Sequence, residues 1–99
     1  MLNLLWIDDD ENNKENLVSF LEKKKYSAKI KLIDFHIFKD ITDFPFTSNI
    51  KNISEIDVIV SDFLMQTNPD FNGFDIFAKF IEKGYKGQFV IFSGGPNKD

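Results

Sequence analysis

Four consecutive acidic residues, at positions 8–11, directly follow an apolar stretch near the start of the chain. At a separation of about 5 Å and an effective dielectric constant near 20, each pair of carboxylates repels by roughly 3 kcal/mol. Two later apolar runs also end in polar side chains, the first in Asp62 and the second in Ser93. Carboxylates without a nearby histidine or cysteine favour Mg²⁺ or Mn²⁺, and such a cation would offset the repulsion.

The hydrophobic pattern predicts alternating strands and helices that would bring these polar groups together. Strands are predicted over residues 2–7, 28–34, 56–62 and 88–92, and helices over residues 12–25 and 74–81. This alternation implies a parallel α/β sheet with right-handed crossovers, in which ligands bind at the edge where the strands end. The side chains expected to converge at that edge are Asp8, Asp9, Asp62 and Ser93. With a cation in place, one carboxylate would be free to act as a nucleophile in phosphoryl transfer.

The ends of the two predicted helices carry recognisable signals. Asp10 or Asn12 could cap the first helix, and three lysines would lie near its C-terminus. Asn72 is a suitable cap for the second helix, and Gly84 follows its last turn. Residues 35–52, which include Pro45, show no readable pattern.

Composition limits the classes of protein to consider. A chain of 99 residues with 42% hydrophobic residues and 12 Phe is long enough for one domain with a core. The net charge is −4 and the basic residues are scattered, which argues against a nucleic-acid partner. There is no cysteine, no signal-peptide pattern and no apolar run near the length of a membrane span. We therefore expect a cytoplasmic protein without a membrane partner.

Each candidate residue also has a purely structural interpretation. Any single acid within residues 8–11 is more often a helix cap or a solvated turn residue, and Ser93 alone is more often a turn hydroxyl. Trp6 is expected in the core, and His36, the only histidine, is expected to be a surface or packing residue. It is the combination of acids at predicted strand ends that favours a metal-assisted site.

Four segments, in order along nearly the whole chain, resemble the receiver domain of two-component response regulators. They are "LLWIDDDE", similar to the first strand with its acidic pair; "DVIVSDF", similar to the third strand with its phospho-accepting Asp; "FNGFDIFAKF", similar to the third helix; and "FVIFSGG", similar to the fourth strand with its Ser/Thr switch. The resemblance implies a single domain over residues 1–99 with a flavodoxin-like, three-layer α/β fold and a sheet in the order 2-1-3-4.

The resemblance also implies a role for each site residue. Asp62 would accept a phosphoryl group from a sensor histidine kinase or a phosphotransfer protein, and Ser93 would hydrogen-bond to that group as the switch hydroxyl. Gly94 would leave room for it. The ligands of Mg²⁺ or Mn²⁺ would be Asp8, Asp9, Asp62 and the backbone carbonyl of Leu64. The only reactions implied are self-phosphorylation and autodephosphorylation, so the chain would be a signalling domain rather than an enzyme.

The chain departs from the family pattern at its C-terminal end. Receiver domains continue through a fourth helix, a fifth strand ending in a Lys, and a fifth helix, whereas this sequence stops at Asp99 and has no match to that Lys. We therefore expect a C-terminally truncated receiver without the fifth strand. Its fourth strand would be an exposed edge, covered in a homodimer unless the chain is a fragment of a longer protein.

Two alternatives stay open at this point. Without the Lys, the domain could be a receiver-like protein-interaction module that is not phosphorylated and whose acidic pocket at most binds a metal. A haloacid-dehalogenase-like phosphatase would instead use Asp8 and Asp10 as paired aspartates. That family has Thr or Val at the position where Asn12 stands here.

Overall fold

The computed structural model describes residues 1–37, 52–63 and 72–92. The elements in these ranges are β1 (Leu2–Asp8), α1 (Asn12–Leu21), α2 (Lys24–Ser27), β2 (Ile30–Ile37), a 3₁₀ turn (Ile53–Glu55), β3 (Val58–Asp62), α3 (Gly73–Glu82) and β4 (Gln88–Phe92). The strands form one parallel sheet in the order β2-β1-β3-β4. This order confirms the predicted flavodoxin-like α/β arrangement. Because β2 and β4 lie on opposite sides of the central pair, right-handed crossovers put α1 and α3 on opposite faces.

The core lies between α3 and the central strands. Alternate residues of a strand point to the same face of a sheet, and here the side chains on the α3 face are apolar. Leu5, Ile7 and Ile59 of the sheet are buried against Ile76 and Phe80 of α3. Burying each such side chain contributes about 1.5–3 kcal/mol. This contact fixes α3, and with it the end of β3, relative to β1.

Both ends of α3 match the sequence signals. The Asn72 side chain accepts hydrogen bonds from the backbone N–H groups of Phe74 (2.9 Å) and Asp75 (3.2 Å). In return, the Asp75 carboxylate accepts one from the Asn72 N–H (2.9 Å), which completes a capping box. Gly84 follows the last turn with φ of 90°, a conformation that glycine adopts without strain. The predicted cap and stop of this helix are therefore confirmed.

The first predicted helix is wrong in its length and its cap. The chain breaks the helix after Leu21, and Lys23 is extended (ψ 141°) before the short helix α2. Glu11 occupies the N-cap position, and Asp10 instead accepts a hydrogen bond from the N–H of Asn12 (2.9 Å). The break lets Phe20 stack on Tyr26, with ring centroids 4.8 Å apart. The chain therefore forms two helices with a ring contact between them, where one continuous helix over residues 12–25 was predicted.

The second strand lies later in the chain than predicted, and its pairing with β1 is irregular. β2 pairs in register from Leu2↔Ile30 to Leu4↔Leu32, but Leu5 then pairs with Asp34. Ile33 is thus an extra residue, as in a β-bulge, and it shifts the alternation that defines the two faces. Beyond this point the strand stays paired with β1 through Ile37, into the segment without a readable pattern.

Tyr85 is a buried phenol between α3 and β4. It is 3% exposed, packs edge-on against Phe80 at 5.9 Å between ring centroids, and donates a hydrogen bond to the carbonyl of Gln88 at 3.1 Å. Burial, and to a lesser degree the charge of Asp57, raises the pKa of Tyr85 from 10.0 to about 12. The fold therefore favours the neutral phenol.

The raised pKa of Tyr85 predicts how stability changes in alkali. Since the folded pKa is above the unfolded one, the contribution of this group is complete below about pH 10 and is lost as the pH rises to about 12. Lysines titrate in the same range, so Tyr85→Phe is the matched comparison. We expect the free energy of unfolding, measured with urea at several pH values, to fall less steeply in Tyr85→Phe than in the wild type. If the free energy of unfolding falls equally steeply with pH in both proteins, the raised pKa of Tyr85 would be contradicted.

β4 is an outer strand of the described sheet, and a homodimer through its outer edge remains a prediction. The N–H of Gln88 donates to the carbonyl of Asp57, just before β3, and the carbonyl of Phe92 accepts from the N–H of Phe63, just after it. By the alternation of a parallel ladder, the backbone groups of Phe89 and Ile91 face the other way. Val90 is 47% exposed and the strand carries no charge. Uncharged edges of this kind favour pairing with another chain.

The predicted dimer is tested by placing a charge on this edge. We expect sedimentation velocity to show a concentration-dependent dimer for the wild type and a monomer for Val90→Lys. Phe20→Lys is the matched control, because Phe20 is similarly exposed (48%) but lies on α1. A wild type that stays monomeric at every concentration would exclude the dimer, and equal dissociation of both variants would exclude this edge as its interface.

Candidate functional site

Three carboxylates meet at the edge of the sheet where the strands end. Asp8 is the last residue of β1, Asp9 follows it, and Asp62 is the last residue of β3. β1 and β3 are paired in parallel, so their C-terminal ends are neighbours. One oxygen from each carboxylate lies within 4.8 Å of the others. The structure therefore brings together the three aspartates that the sequence predicted to converge.

The other predicted site residues cannot be placed in the same way. Ser93, Gly94 and Leu64 lie outside the described ranges, so the switch hydroxyl, the space for the phosphoryl group and the carbonyl ligand remain predictions. His36, predicted to be a surface or packing residue, is half-buried on β2 and is not part of the acidic cluster.

Asp8 is fully buried and is held by three hydrogen bonds. Its Oδ1 accepts from the backbone N–H of Asp10 at 3.1 Å. Its Oδ2 accepts from the Asn13 carboxamide at 2.8 Å and from the Trp6 indole at 3.4 Å. A buried carboxylate is costly unless such donors satisfy it. The same bonds fix the direction of the carboxylate within the cluster.

Sequence reasoning missed Asn13 and treated Trp6 only as a core residue. Trp6 precedes Asp8 by two positions, and residues two apart in a strand lie on the same face. Asn13 lies in the first turn of α1, where the chain turns back across the end of β1. The spacing of both residues from Asp8 was a usable signal, provided that a tight turn between β1 and α1 was assumed.

The backbone of Asp62 is set by a close approach of α3. The N–H of Gly73 donates to the carbonyl of Phe63 at 2.7 Å. A Cβ atom at position 73 would lie 2.9 Å from the carbonyl oxygen of Asp62 and 3.0 Å from Cγ2 of Ile91. Side chains do not pack that closely, so only glycine lets the start of α3 reach the end of β3. Ser61, which is also buried, donates its hydroxyl to the same Asp62 carbonyl at 3.0 Å.

Aromatic rings lie beside the acidic cluster. Trp6 stacks on Phe35, with centroids 6.5 Å apart and planes 10° from parallel, and is tilted against Phe92 at 5.3 Å. Trp6 is the only tryptophan in the chain and its indole is bonded to Asp8. We therefore expect its fluorescence to respond to changes in the cluster.

The chemistry of the cluster fits a hard divalent cation. Its ligand atoms are carboxylate oxygens within 4.8 Å of one another, and at such separations each like-charged pair repels by about 3 kcal/mol or more when the effective dielectric constant is about 20. The three hydrogen-bond donors around Asp8 offset part of this repulsion, and a cation bound between the carboxylates would offset more. Oxygen ligands of this kind suit Mg²⁺ or Mn²⁺. Asp8, Asp9 and Asp62 could hold such an ion.

No protein-family model, curated protein or solved structure matches this chain. Among the helices in the three described ranges, none is both long and apolar enough to cross a membrane. The parallel sheet in the order 2-1-3-4 and the cluster of three aspartates are consistent with a receiver fold.

Proposed function

We propose that the chain is a receiver domain in which Asp62 accepts a phosphoryl group with the help of Mg²⁺ or Mn²⁺. One observation carries this proposal: Asp8, Asp9 and Asp62 come within 4.8 Å of one another at the C-terminal edge of a parallel sheet. One oxygen from each carboxylate would suffice to hold an ion with several waters, so the second oxygen of Asp62 can attack the phosphoryl group.

The proposed reaction assigns separate tasks to the three aspartates. A carboxylate oxygen of Asp62 attacks the phosphorus atom, and a new P–O bond forms. The bond to the donor breaks, and its electron pair leaves with the imidazole of a phosphohistidine or with the carboxylate of a small acyl phosphate. Asp8 and Asp9, together with the other oxygen of Asp62, would hold a cation that would neutralise charge on the phosphoryl oxygens. Asp8 is suited to this task because its three donors fix it in place.

The signalling step in this proposal involves residues outside the described ranges. Ser93 would bond to the transferred group, Gly94 would make room for it, and the Leu64 carbonyl would complete the metal ligands. The phosphoryl donor would be a sensor histidine kinase or a phosphotransfer protein. Loss of the group by hydrolysis would reset the domain.

The position of Asp10 speaks against the phosphatase alternative. A haloacid-dehalogenase-like mechanism needs Asp10 next to Asp8 at the reaction centre. Asp10 is instead exposed, and its carboxylate accepts a hydrogen bond from the N–H of Asn12 at 2.9 Å. It is not a member of the acidic cluster.

The test is the formation of an acyl phosphate on Asp62. The protein is incubated with acetyl phosphate, either with Mg²⁺ or with a chelator, and its intact mass is measured. We expect one added phosphoryl group in the presence of Mg²⁺, none with the chelator and none in Asp62→Asn. Asp10→Asn, which replaces a neighbouring exposed acid, should still be modified.

Two outcomes would contradict the proposal. An adduct that persists in Asp62→Asn would exclude Asp62 as the acceptor. No adduct in the wild type would favour the interaction module that is not phosphorylated.

A further inference from the structure

We infer that Asn13 is a specificity-determining residue that makes the acidic cluster select Mg²⁺ over Ca²⁺. The inference rests on the proposed cation site and adds to it a property that the aspartates alone do not give. Asn13 is on α1, outside the cluster, and acts on the ion only through Asp8.

The first step is a count of the acceptor positions on Asp8. A carboxylate offers about four lone-pair positions, two on each oxygen. Oδ2 uses two, for the Asn13 carboxamide at 2.8 Å and the Trp6 indole at 3.4 Å. Oδ1 uses one, for the N–H of Asp10 at 3.1 Å. One position remains, on Oδ1, so Asp8 can offer a cation a single oxygen.

The second step is the difference between the two ions. Mg²⁺ takes six ligands at about 2.0–2.1 Å in a nearly octahedral arrangement and keeps several waters, for which single carboxylate oxygens are suitable. Ca²⁺ takes about six to eight ligands at longer distances and often binds both oxygens of a carboxylate. With Oδ2 occupied, Asp8 cannot chelate Ca²⁺ in that way. The hydrogen bonds therefore disfavour Ca²⁺ without weakening a Mg²⁺ site.

The third step identifies Asn13 as the donor that sets this preference. The Trp6 bond is longer, and its ring packs between Phe35 and Phe92, so it cannot be removed without disturbing the sheet. The donor from Asp10 is a backbone group. Asn13 is half-buried in the first turn of α1, and its described side-chain hydrogen bond is the one to Asp8. Its removal opens a position on Oδ2 and leaves the core unchanged.

The test compares cation selectivity in three proteins. Wild type, Asn13→Ala and Asn12→Ala are titrated separately with Mg²⁺ and Ca²⁺, with Trp6 fluorescence and the thermal unfolding temperature as readouts. We expect the ratio of the Ca²⁺ to the Mg²⁺ dissociation constant to fall about tenfold in Asn13→Ala, which corresponds to one charge-assisted hydrogen bond. Asn12 is the matched control, because it is the adjacent asparagine in the same turn but is exposed. Its substitution should leave the ratio unchanged.

Each other outcome has a distinct meaning. If wild type binds Mg²⁺ but the ratio is the same in Asn13→Ala, the role of Asn13 is wrong and the cation site stands. If wild type binds neither ion, the proposed cation site is wrong, and the inference fails with it. Asn13→Leu, which is branched like Asn and has as many side-chain heavy atoms but no donor, gives a second variant in case alanine unfolds the first turn of α1. It should show the same fall in the ratio.

Discussion

Replacing Asp8 by alanine should lower the free energy of unfolding by about 3 kcal/mol, even though it removes a charge from an acidic cluster. The carboxylate is fully buried. It accepts hydrogen bonds from the indole of Trp6, the carboxamide of Asn13 and the backbone N–H of Asp10. Each donor left without a partner away from water costs about 1–3 kcal/mol. Relief of the repulsion with Asp9 and Asp62 offsets only part of that sum.

The measurement is urea unfolding followed by far-UV circular dichroism, because Trp6 fluorescence would respond to the substitution itself. Asp10→Ala is the matched control: Asp10 is exposed, and its carboxylate accepts one hydrogen bond, from the N–H of Asn12. Its loss should cost about 1 kcal/mol, as is typical of a single hydrogen bond. An Asp8→Ala protein that is as stable as the wild type would show that repulsion, rather than hydrogen bonding, dominates at this position.

The second large effect expected is stabilisation by Mg²⁺. An ion that binds only the folded state raises the free energy of unfolding, by about 2.7 kcal/mol when its concentration is roughly one hundred times the dissociation constant. Here the source of the binding energy is the attraction of the ion to three carboxylates within 4.8 Å of one another. We expect this gain in the wild type and a much smaller one in Asp62→Ala, which lacks one of the three.

Two controls separate specific binding from general screening. Addition of NaCl at the same ionic strength should give little stabilisation, because monovalent ions screen charges without bridging carboxylates. Asp75→Asn removes an acid at the start of α3 that does not belong to the cluster, and should keep the full gain from Mg²⁺. Equal gains in wild type and Asp62→Ala would contradict a site that includes Asp62.

Much of the fold could be predicted because its signals are local. β3 is a short β-branched run, and α3 carries its own cap at Asn72 and its stop at Gly84. The alternation of strands and helices predicted the parallel sheet, and the resemblance to receiver domains implied the strand order that the structure shows. The first helix was wrong because no glycine or proline marks its end at Leu21. The limits of β2 depend on a bulge at its pairing with β1, which only the assembled sheet creates.

The candidate site was predictable to the same degree. Asp8, Asp9 and Asp62 could be identified because parallel topology puts the C-terminal ends of β1 and β3 on the same edge of the sheet. The contacts that orient Asp8 could not be identified from the sequence, because they depend on how tightly the chain turns from β1 into α1. That turn brings the Asn13 carboxamide within 2.8 Å of Asp8 Oδ2. The need for glycine at position 73 likewise becomes visible only from the approach of α3 to β3.

The cation site, on which the proposed function depends, is tested most directly by counting bound Mn²⁺. Electron paramagnetic resonance of free Mn²⁺, recorded while the protein is titrated with the ion, gives the number of ions bound and their affinity. We predict one Mn²⁺ per chain in the wild type, displaced by Mg²⁺, with affinity strongly reduced in Asp62→Ala and unchanged in Asp75→Asn. Absence of binding in the wild type, or binding that is equally strong in Asp62→Ala, would contradict a site formed by Asp8, Asp9 and Asp62.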